Sequence, residues 1–334
     1  MAPAGSAGAI PVTGDRVRRT GVPGYILGAY AAEPAVAGER QEFYRQLARM
    51  PDIGGLEVPF AAGPDGQGAL RLPPRVPPHW RVVVTALPAT VARASEDPTF
   101  GLASSDESGR AAAVAAHRQM RDAVRGLTQR RGPGTVPAVL VHSAPGAGDV
   151  DAFARSLAEI ASWDWSGARL LVEHCDARRP GHSPAKGYLP LTGELRAVEA
   201  AGDDGMGLVV NWGRSVLEER SAAGAVKHLR AAASAGRLAG LVFSGVSANE
   251  TLYGEPWADA HLPVATPSGL TDSLLTPARA RAAMDEASAA WLYGAKFAVR
   301  PRTAAWEERV AVVRASLDAL PRRLVSGLPS LRQG

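Results

Sequence analysis

Arg169-Leu170-Leu171-Val172-Glu173-His174-Cys175-Asp176 begins as an apolar run and ends in a carboxylate, an imidazole, the single thiol of the chain and a second carboxylate. An apolar run without alternation, short and bounded by polar residues, reads as a strand buried on both faces, as in a parallel sheet covered by helices. Such a strand has no inexpensive place for a charge except its end. Glu173 to Asp176 therefore mark a rim. Neighbours on a strand point to opposite sides, which puts Glu173 and Cys175 on one side and His174 on the other. His174 and Cys175 are thus not a thiol–imidazole pair, and Cys175 reads as a small buried residue.

The same pattern recurs along the chain. Further strands are expected at residues 25–30, 53–58, 81–87, 137–142, 206–211, 238–243 and 295–299. Helical spacing separates them, at 38–50, 106–130, 149–161, 191–201, 214–235 with a break near Gly224, 277–292 and 304–320. In 38–50, Phe43, Leu47 and Met50 share one face; in 149–161, Phe153, Leu157 and Ile160 do so behind a capping Asp149 or Asp151. Eight buried strands alternating with helices in 334 residues predict an α/β fold, a single (β/α)8 TIM barrel over 23–322. Residues 1–22 are expected to be a flexible N-terminal tail and 323–334 a C-terminal tail. Six prolines between Val58 and Trp80 make the second β/α unit irregular. The segment 245–276 after the seventh strand is a long loop. A doubly wound sheet would carry a Gly-rich phosphate turn after its first strand, and Gly28-Ala29-Tyr30-Ala31-Ala32-Glu33 is not one.

Composition narrows the function classes. Hydrophobic residues at 46% supply a sizeable core. The net charge of +4 rests on scattered arginines without interleaved aromatics, which argues against a nucleic-acid partner. No apolar run approaches the ~18 residues of a membrane span, and the N-terminus lacks the apolar core of a secretory signal. One cysteine excludes an internal disulfide and a Cys-based zinc cluster and fits a reducing cytoplasm. The wealth of Ala, Arg, Gly and Pro suggests a GC-rich bacterial genome.

In a barrel of this kind chemistry gathers at the C-terminal ends of the strands, and polar residues here collect at those ends. Glu57 ends the second strand, Thr85 lies near the end of the third, and His142 ends the fourth. Glu173, His174 and Asp176 end the fifth, Asn211 and Arg214 follow the sixth, Ser244 closes the seventh and Arg300 the eighth. Glu173, Glu57 and His142 are the candidate catalytic residues. His174, Asp176, Asn211, Arg214, Ser244, Trp257 and Arg300 are candidates for substrate binding. Each also has a structural reading: Glu57 as the partner of Arg71 or Arg81, His142 as a satisfied barrel histidine, Asn211 as a loop brace, Trp257 as a plug at the barrel edge rather than a sugar-stacking ring. The loop from Asp176 to Pro190, with Arg178, Arg179, His182 and Lys186, reads either as a seat for an anionic substituent or as solvated surface. Asp259 and His261 lie in the long loop. Lys296, read near the start of its strand, is placed below the mouth.

Gly55-Leu56-Glu57, Leu171-Val172-Glu173-His174 and Asn211-Trp212-Gly213 at the ends of strands two, five and six resemble the xylose-isomerase-like superfamily of sugar and sugar-phosphate isomerases and epimerases, in an uncharacterised actinobacterial branch. The resemblance covers roughly Gly24 to Leu320. It implies a sugar isomerase or epimerase using enediolate chemistry, with a lyase or hydrolase of a related polyol or sugar acid, or a non-catalytic sugar-binding barrel, as alternatives. The implied partner is a small sugar, sugar phosphate or sugar acid, and the implied assembly a homo-oligomer. Metal-dependent members hold Mn, Mg or Zn on a Glu after strand five and on acid or His groups after strands six, seven and eight. Glu173 matches the first; Asn211 and Ser244 stand at the next two positions, and no carboxylate stands in the eighth strand.

Overall fold

The computed structural model describes residues 23–61, 68–267 and 269–322; both expected tails lie outside these residues. Strands and helices alternate: β1 (Tyr25–Leu27), α1 (Ala37–Leu47), β2 (Ile53–Ala61), the two-residue β3 (Ala69–Leu70), β4 (Arg81–Thr85), α2 (Leu87–Glu96), α3 (Glu107–Arg131), β5 (Ala138–Val141) and α4 (Val150–Ala161). They continue through β6 (Arg169–His174), α5 (Leu191–Ala201), β7 (Gly207–Asn211), α6 (Trp212–Glu219), α7 (Ala223–Ser234), β8 (Leu238–Phe243), α8 (Pro277–Glu286), β9 (Leu292–Ala295) and α9 (Trp306–Asp318). All strands except β3 pair in parallel, and β1 pairs with both β2 and β9, so the sheet closes into an eight-stranded barrel. The fold is the predicted single (β/α)8 barrel.

The helix boundaries follow from local chemistry. Asp106 and Asp149 accept the Gly109 and Ala152 amide hydrogens at the starts of α3 and α4, and Thr276 caps α8 ahead of Pro277. The break expected near Gly224 is real: Arg220 turns left-handed at φ 50° after α6, and α7 restarts at Ala223. Among the described residues of the proline-rich second unit there is no helix before β4; β3 folds back antiparallel on the end of β2 instead.

The eighth barrel strand is a correction. It runs Leu292–Ala295 rather than 295–299, and α8 stops at Glu286 rather than 292. The Ala-rich stretch before Trp291 carries no stop signal, so helical spacing runs on through it. Pairing decides otherwise, because Gly240–Phe243 and Ile26–Leu27 take Leu292–Ala295 as their neighbour. Lys296 therefore follows the C-terminal end of the strand, at the mouth and not below it.

Side chains divide cleanly between the two faces. Ile26, Val83, Leu140, Leu171 and Val209 fill the barrel interior, while Val84, Val141, Val172, Val210 and Phe243 pack outward with the helices. Among the described residues no helix is long and apolar enough to cross a membrane.

Candidate active site at the barrel mouth

Strand alternation builds the site. Two residues beyond the inward-facing Ile26, Gly55, Val83, Leu140, Leu171, Val209, Val242 and Gly294 come Gly28, Glu57, Thr85, His142, Glu173, Asn211, Ser244 and Lys296. The last inward rung of every strand, apart from Gly28, is polar, and all of these polar groups are buried.

Glu173 is fully buried and fully engaged. His142 Nε2 lies 2.9 Å from its Oε2 and Asn211 Nδ2 donates to Oε1 at 3.1 Å. Arg214 Nη1 lies 2.8 Å from the same Oε1, a coulombic contact in which no N–H is aimed at the oxygen. Burial works against ionisation of Glu173, but Arg214, Lys296 and His142 outweigh it and hold the carboxyl well below its usual range. Asn211 has two duties, since its Oδ1 also accepts the Arg214 amide hydrogen at the start of α6. Burial keeps His142 below its normal pKa, and its Nδ1 has no partner among the described residues.

Glu57 is held from the other side of the barrel. Lys296 Nζ donates to its Oε1 at 2.6 Å and the Tyr30 hydroxyl to the same oxygen at 2.7 Å. Lys296 lies one strand beyond β1, so its chain must cross Gly28. A Cβ on Gly28 would stand 2.8 Å from Lys296 Cε and 2.9 Å from Cγ, closer than carbon atoms approach. Only glycine admits the crossing. Although burial opposes its charge, Glu57, Tyr30 and Glu173 drive the Lys296 pKa up, so the amine is an ammonium. This is the partner that Arg71 and Arg81 were expected to supply; Arg81 instead donates to the Gly134 carbonyl.

The long loop from Gly245 to Thr276 contributes the remaining groups. It returns to the barrel by a Gly245–Leu262 bridge and by the Ala298 amide donating to the His261 carbonyl. Asp259 Oδ2 thereby sits 3.3 Å from Arg214 Nε and 3.2 Å from Lys186 Nζ, and Ser244 Oγ 2.8 Å from His261 Nδ1. Despite its burial Asp259 is held far below the usual carboxylate range, chiefly by Arg214 and also by Lys186. Burial takes His261 down to about 3, so it is neutral. Two cavities flank the cluster and share Tyr30: one of about 320 Å³ bordered by Glu57, and one of about 450 Å³ bordered by Asp259 and His261.

The structure thus brings together Glu173, Glu57, His142, Asn211, Arg214 and Ser244. It places other expected residues elsewhere. His174 faces outward between Glu194 of α5 (2.7 Å) and Glu218 of α6 (3.1 Å), behind the barrel wall. Asp176 is buried and accepts amide hydrogens from Ala185 and Lys186, bracing the next loop. Trp257, at φ 62°, stacks under Arg220 rather than lining either cavity. Arg300 stands on the rim of the larger cavity. Cys175 is buried beside Leu87, Ala144 and Tyr188, and burial pushes its thiol up beyond reactivity. Tyr30 joins the site although its sequence context does not single it out, and Asp259, His261 and Lys296, which the sequence offers from the long loop and the eighth strand, join it as well. A signal for Lys296 exists, as a charge two residues past the inward Gly294, once the strand is set in register.

The donor set does not fit a divalent ion at the mouth. The four strand-end positions hold Glu173, Asn211, Ser244 and Lys296, and both oxygens of the single carboxylate are already engaged. An ion there would face the buried guanidinium of Arg214 and the ammonium of Lys296. Among the described residues, His174, Glu218 and His228 do offer three metal-type donor atoms within 4.8 Å of one another. That cluster lies outside the barrel, away from the mouth; there burial disfavours the His174 imidazolium, but Glu194 and Glu218 raise its pKa to about 10. Arg179 stands 2.6 Å from Glu218 as well.

Comparison with known proteins agrees with this architecture. The family described as Domain of unknown function (DUF4862) matches residues 26–312. An uncharacterized protein of Salmonella typhimurium (strain LT2) is 41% identical over 252 residues, which cover 72% of this chain and 79% of that protein. Among solved structures, a putative xylose isomerase from Rhodospirillum rubrum aligns with a TM-score of 0.57 at 13% identity, over 90% of this chain and 98% of that one. An L-ribulose 3-epimerase aligns with a TM-score of 0.51 at 16% identity, over 88% and 94%. At such identities the structural matches establish the xylose-isomerase-like fold.

Proposed function

The chain belongs to the family described as Domain of unknown function (DUF4862), and from that premise we propose that it is a sugar isomerase or epimerase working by proton abstraction at the barrel mouth. One observation carries the reading: two carboxylates, Glu57 and Glu173, face inward at the mouth, each against a buried cation. The fold shared with an L-ribulose 3-epimerase supports it.

Proton abstraction next to a carbonyl needs a base near the carbon and positive charge near the oxygen. Glu57, on the wall of the smaller cavity, takes the proton from carbon. The C–H electron pair moves into the carbon–carbon bond and the carbonyl pair onto oxygen, giving an enediolate. Lys296 and Arg214 supply the positive charge that a divalent ion supplies in metal-dependent members of the superfamily. Return of the proton to the former carbonyl carbon, with the hydroxyl proton passing from the neighbouring oxygen to the former carbonyl oxygen, completes an isomerisation. Delivery of a solvent-derived proton to the original carbon from the face opposite Glu57 completes an epimerisation. Glu173, tied by Asn211 and His142, keeps Arg214 aimed at the mouth. The reading is of a cytoplasmic enzyme with a small-molecule substrate.

Deuterium uptake tests this whatever the product turns out to be. Pooled aldoses, ketoses, sugar acids and sugar phosphates are incubated with the protein in D2O and analysed by mass spectrometry. At least one member should gain one carbon-bound deuterium, and Glu57→Gln and Glu173→Gln should abolish the gain while leaving the circular dichroism spectrum unchanged. No uptake by the wild-type protein sinks the reading. The replaced ligands Asn211, Ser244 and Lys296 favour a second reading, a barrel that binds sugar without turnover; ligand-induced stabilisation without uptake would be its mark. A lyase acting on a sugar acid begins with the same abstraction, and its mark is loss of water or a fragment after uptake.

A further inference from the structure

The larger cavity lies between the turn Ala29–Ala31, the loop carrying Asp259 and His261, and the segment after β9. Its wall is unevenly charged. Arg40, Arg300, Arg302 and Arg309 stand there against Glu33 and Asp259. Both carboxylates are already committed: Glu33 lies 3.5 Å from Arg40 and accepts the Tyr44 hydroxyl at 2.8 Å, and Asp259 holds Arg214 and Lys186.

Three arginines remain without a carboxylate among the described residues. Arg309 is 5% exposed, yet all its hydrogen bonds go to backbone carbonyls, those of Ala304, Ala32, Glu33 and Arg302. Those carbonyls fix the guanidinium and leave its charge in place. Among the described residues the Arg300 side chain donates only to the Val299 carbonyl, and its guanidinium stands 5.6 Å over the Tyr253 ring. Arg302 is exposed at the same rim, with no side-chain partner among the described residues. A buried guanidinium without a counter-charge is costly to keep, and the planar Arg fork matches carboxylate and phosphate oxygens. At the opposite end the cavity reaches Tyr30, Asp259 and His261, the groups that border the Glu57 and Glu173 cluster.

We propose that this cavity seats an anionic group, a carboxylate or a phosphate, of a sugar ligand whose reacting carbons lie toward Tyr30, Asp259 and His261. The sugar part rests on the function proposed above; the anion seat rests on the arginines alone. A volume of about 450 Å³ lies within the usual range for a small-molecule site.

Titration calorimetry at low salt tests both parts with four probes: D-glucuronate, D-glucose 6-phosphate, D-glucose and inorganic phosphate. Wild-type protein should bind at least one charged sugar at least tenfold more tightly than glucose. The double variant Arg300→Gln/Arg302→Gln, both positions being on the rim, should weaken that binding at least tenfold with an unchanged circular dichroism spectrum. Whichever charged sugar shows the larger preference identifies carboxylate or phosphate as the natural group. If no anion binds at millimolar concentration, or the double variant binds the anions as tightly as wild type, the seat does not exist. If free phosphate binds as tightly as glucose 6-phosphate and is lost in the double variant, the seat stands and the sugar assignment falls.

Discussion

Replacing Lys296 by Met removes the cation and keeps most of the side-chain volume. Lys296 is 0% and Glu57 5% exposed, and their contact is 2.6 Å long. Breaking such a pair from one side leaves a buried carboxylate with only the Tyr30 hydroxyl, and one-sided loss of a buried ion pair costs ~3–5 kcal/mol. The expected loss at pH 7 is therefore about 3–5 kcal/mol, a large share of the ~5–15 kcal/mol that domains possess. Urea unfolding of wild type, Lys296→Met, Glu57→Gln and the double variant gives the cycle. The double variant should recover more than half of the Lys296→Met loss, because no lone charge then remains. In wild type the raised pKa of Lys296 gives stability fully present below the unfolded lysine value of ~10.4 and lost only above it, so the cycle is read at pH 7 with the ammonium intact. A Lys296→Met loss under about 1 kcal/mol, or strict additivity in the cycle, would refute the assignment of this pair as a buried, mutually dependent unit.

Other consequences follow from neighbouring contacts. Gly28→Ala should cost ~1–3 kcal/mol by crowding the Lys296 stem, and should reduce deuterium uptake as well; unchanged midpoint and uptake would show that Lys296 can cross elsewhere. The His174 imidazolium, with a pKa raised to about 10 by Glu194 and Glu218 over the opposing effect of burial, gives stability fully present below about 6.5 and lost as pH rises toward 10. Unfolding free energies from urea titrations should thus fall by an amount on the order of a few kcal/mol between pH 7 and 10, and His174→Gln should flatten that slope. Cys175, buried and with its thiol pushed up by burial, should resist thiol reagents until the protein unfolds; rapid labelling of the native state would contradict its position.

The strands most legible in the sequence are those whose apolar runs are undiluted. Arg169–His174, Leu238–Phe243 and helix Leu191–Ala201 lie where their residues alone place them, because a strand buried on both faces has no competing periodicity. Leu292–Ala295 is hidden for the opposite reason, since Trp291, Leu292 and Tyr293 extend the helical spacing of α8 without a stop. A strand displaced by three residues takes Lys296 off the mouth and leaves Glu57 without its true partner. Tyr30 carries no local mark of function because it follows an apolar strand, and His261, though legible as a polar residue of the long loop, reaches the mouth only through the way that loop returns. Asn211, Arg214 and Glu173 are legible as strand-end polarity, but their mutual contacts come from barrel closure, which single strands do not encode.

The contact between Lys296 and Glu57 joins residues 239 positions apart. A ribosome delivers Glu57 long before Lys296, so until residue 296 is made the second strand carries a carboxylate whose counter-charge is missing. β1 must likewise wait for β9 before its second edge is covered. Contacts this distant in sequence slow folding, and a nascent chain ending before residue 292 would expose an open sheet edge beside an unmatched charge. Translation past residue 296 is what seals the barrel and sets the charge of its mouth.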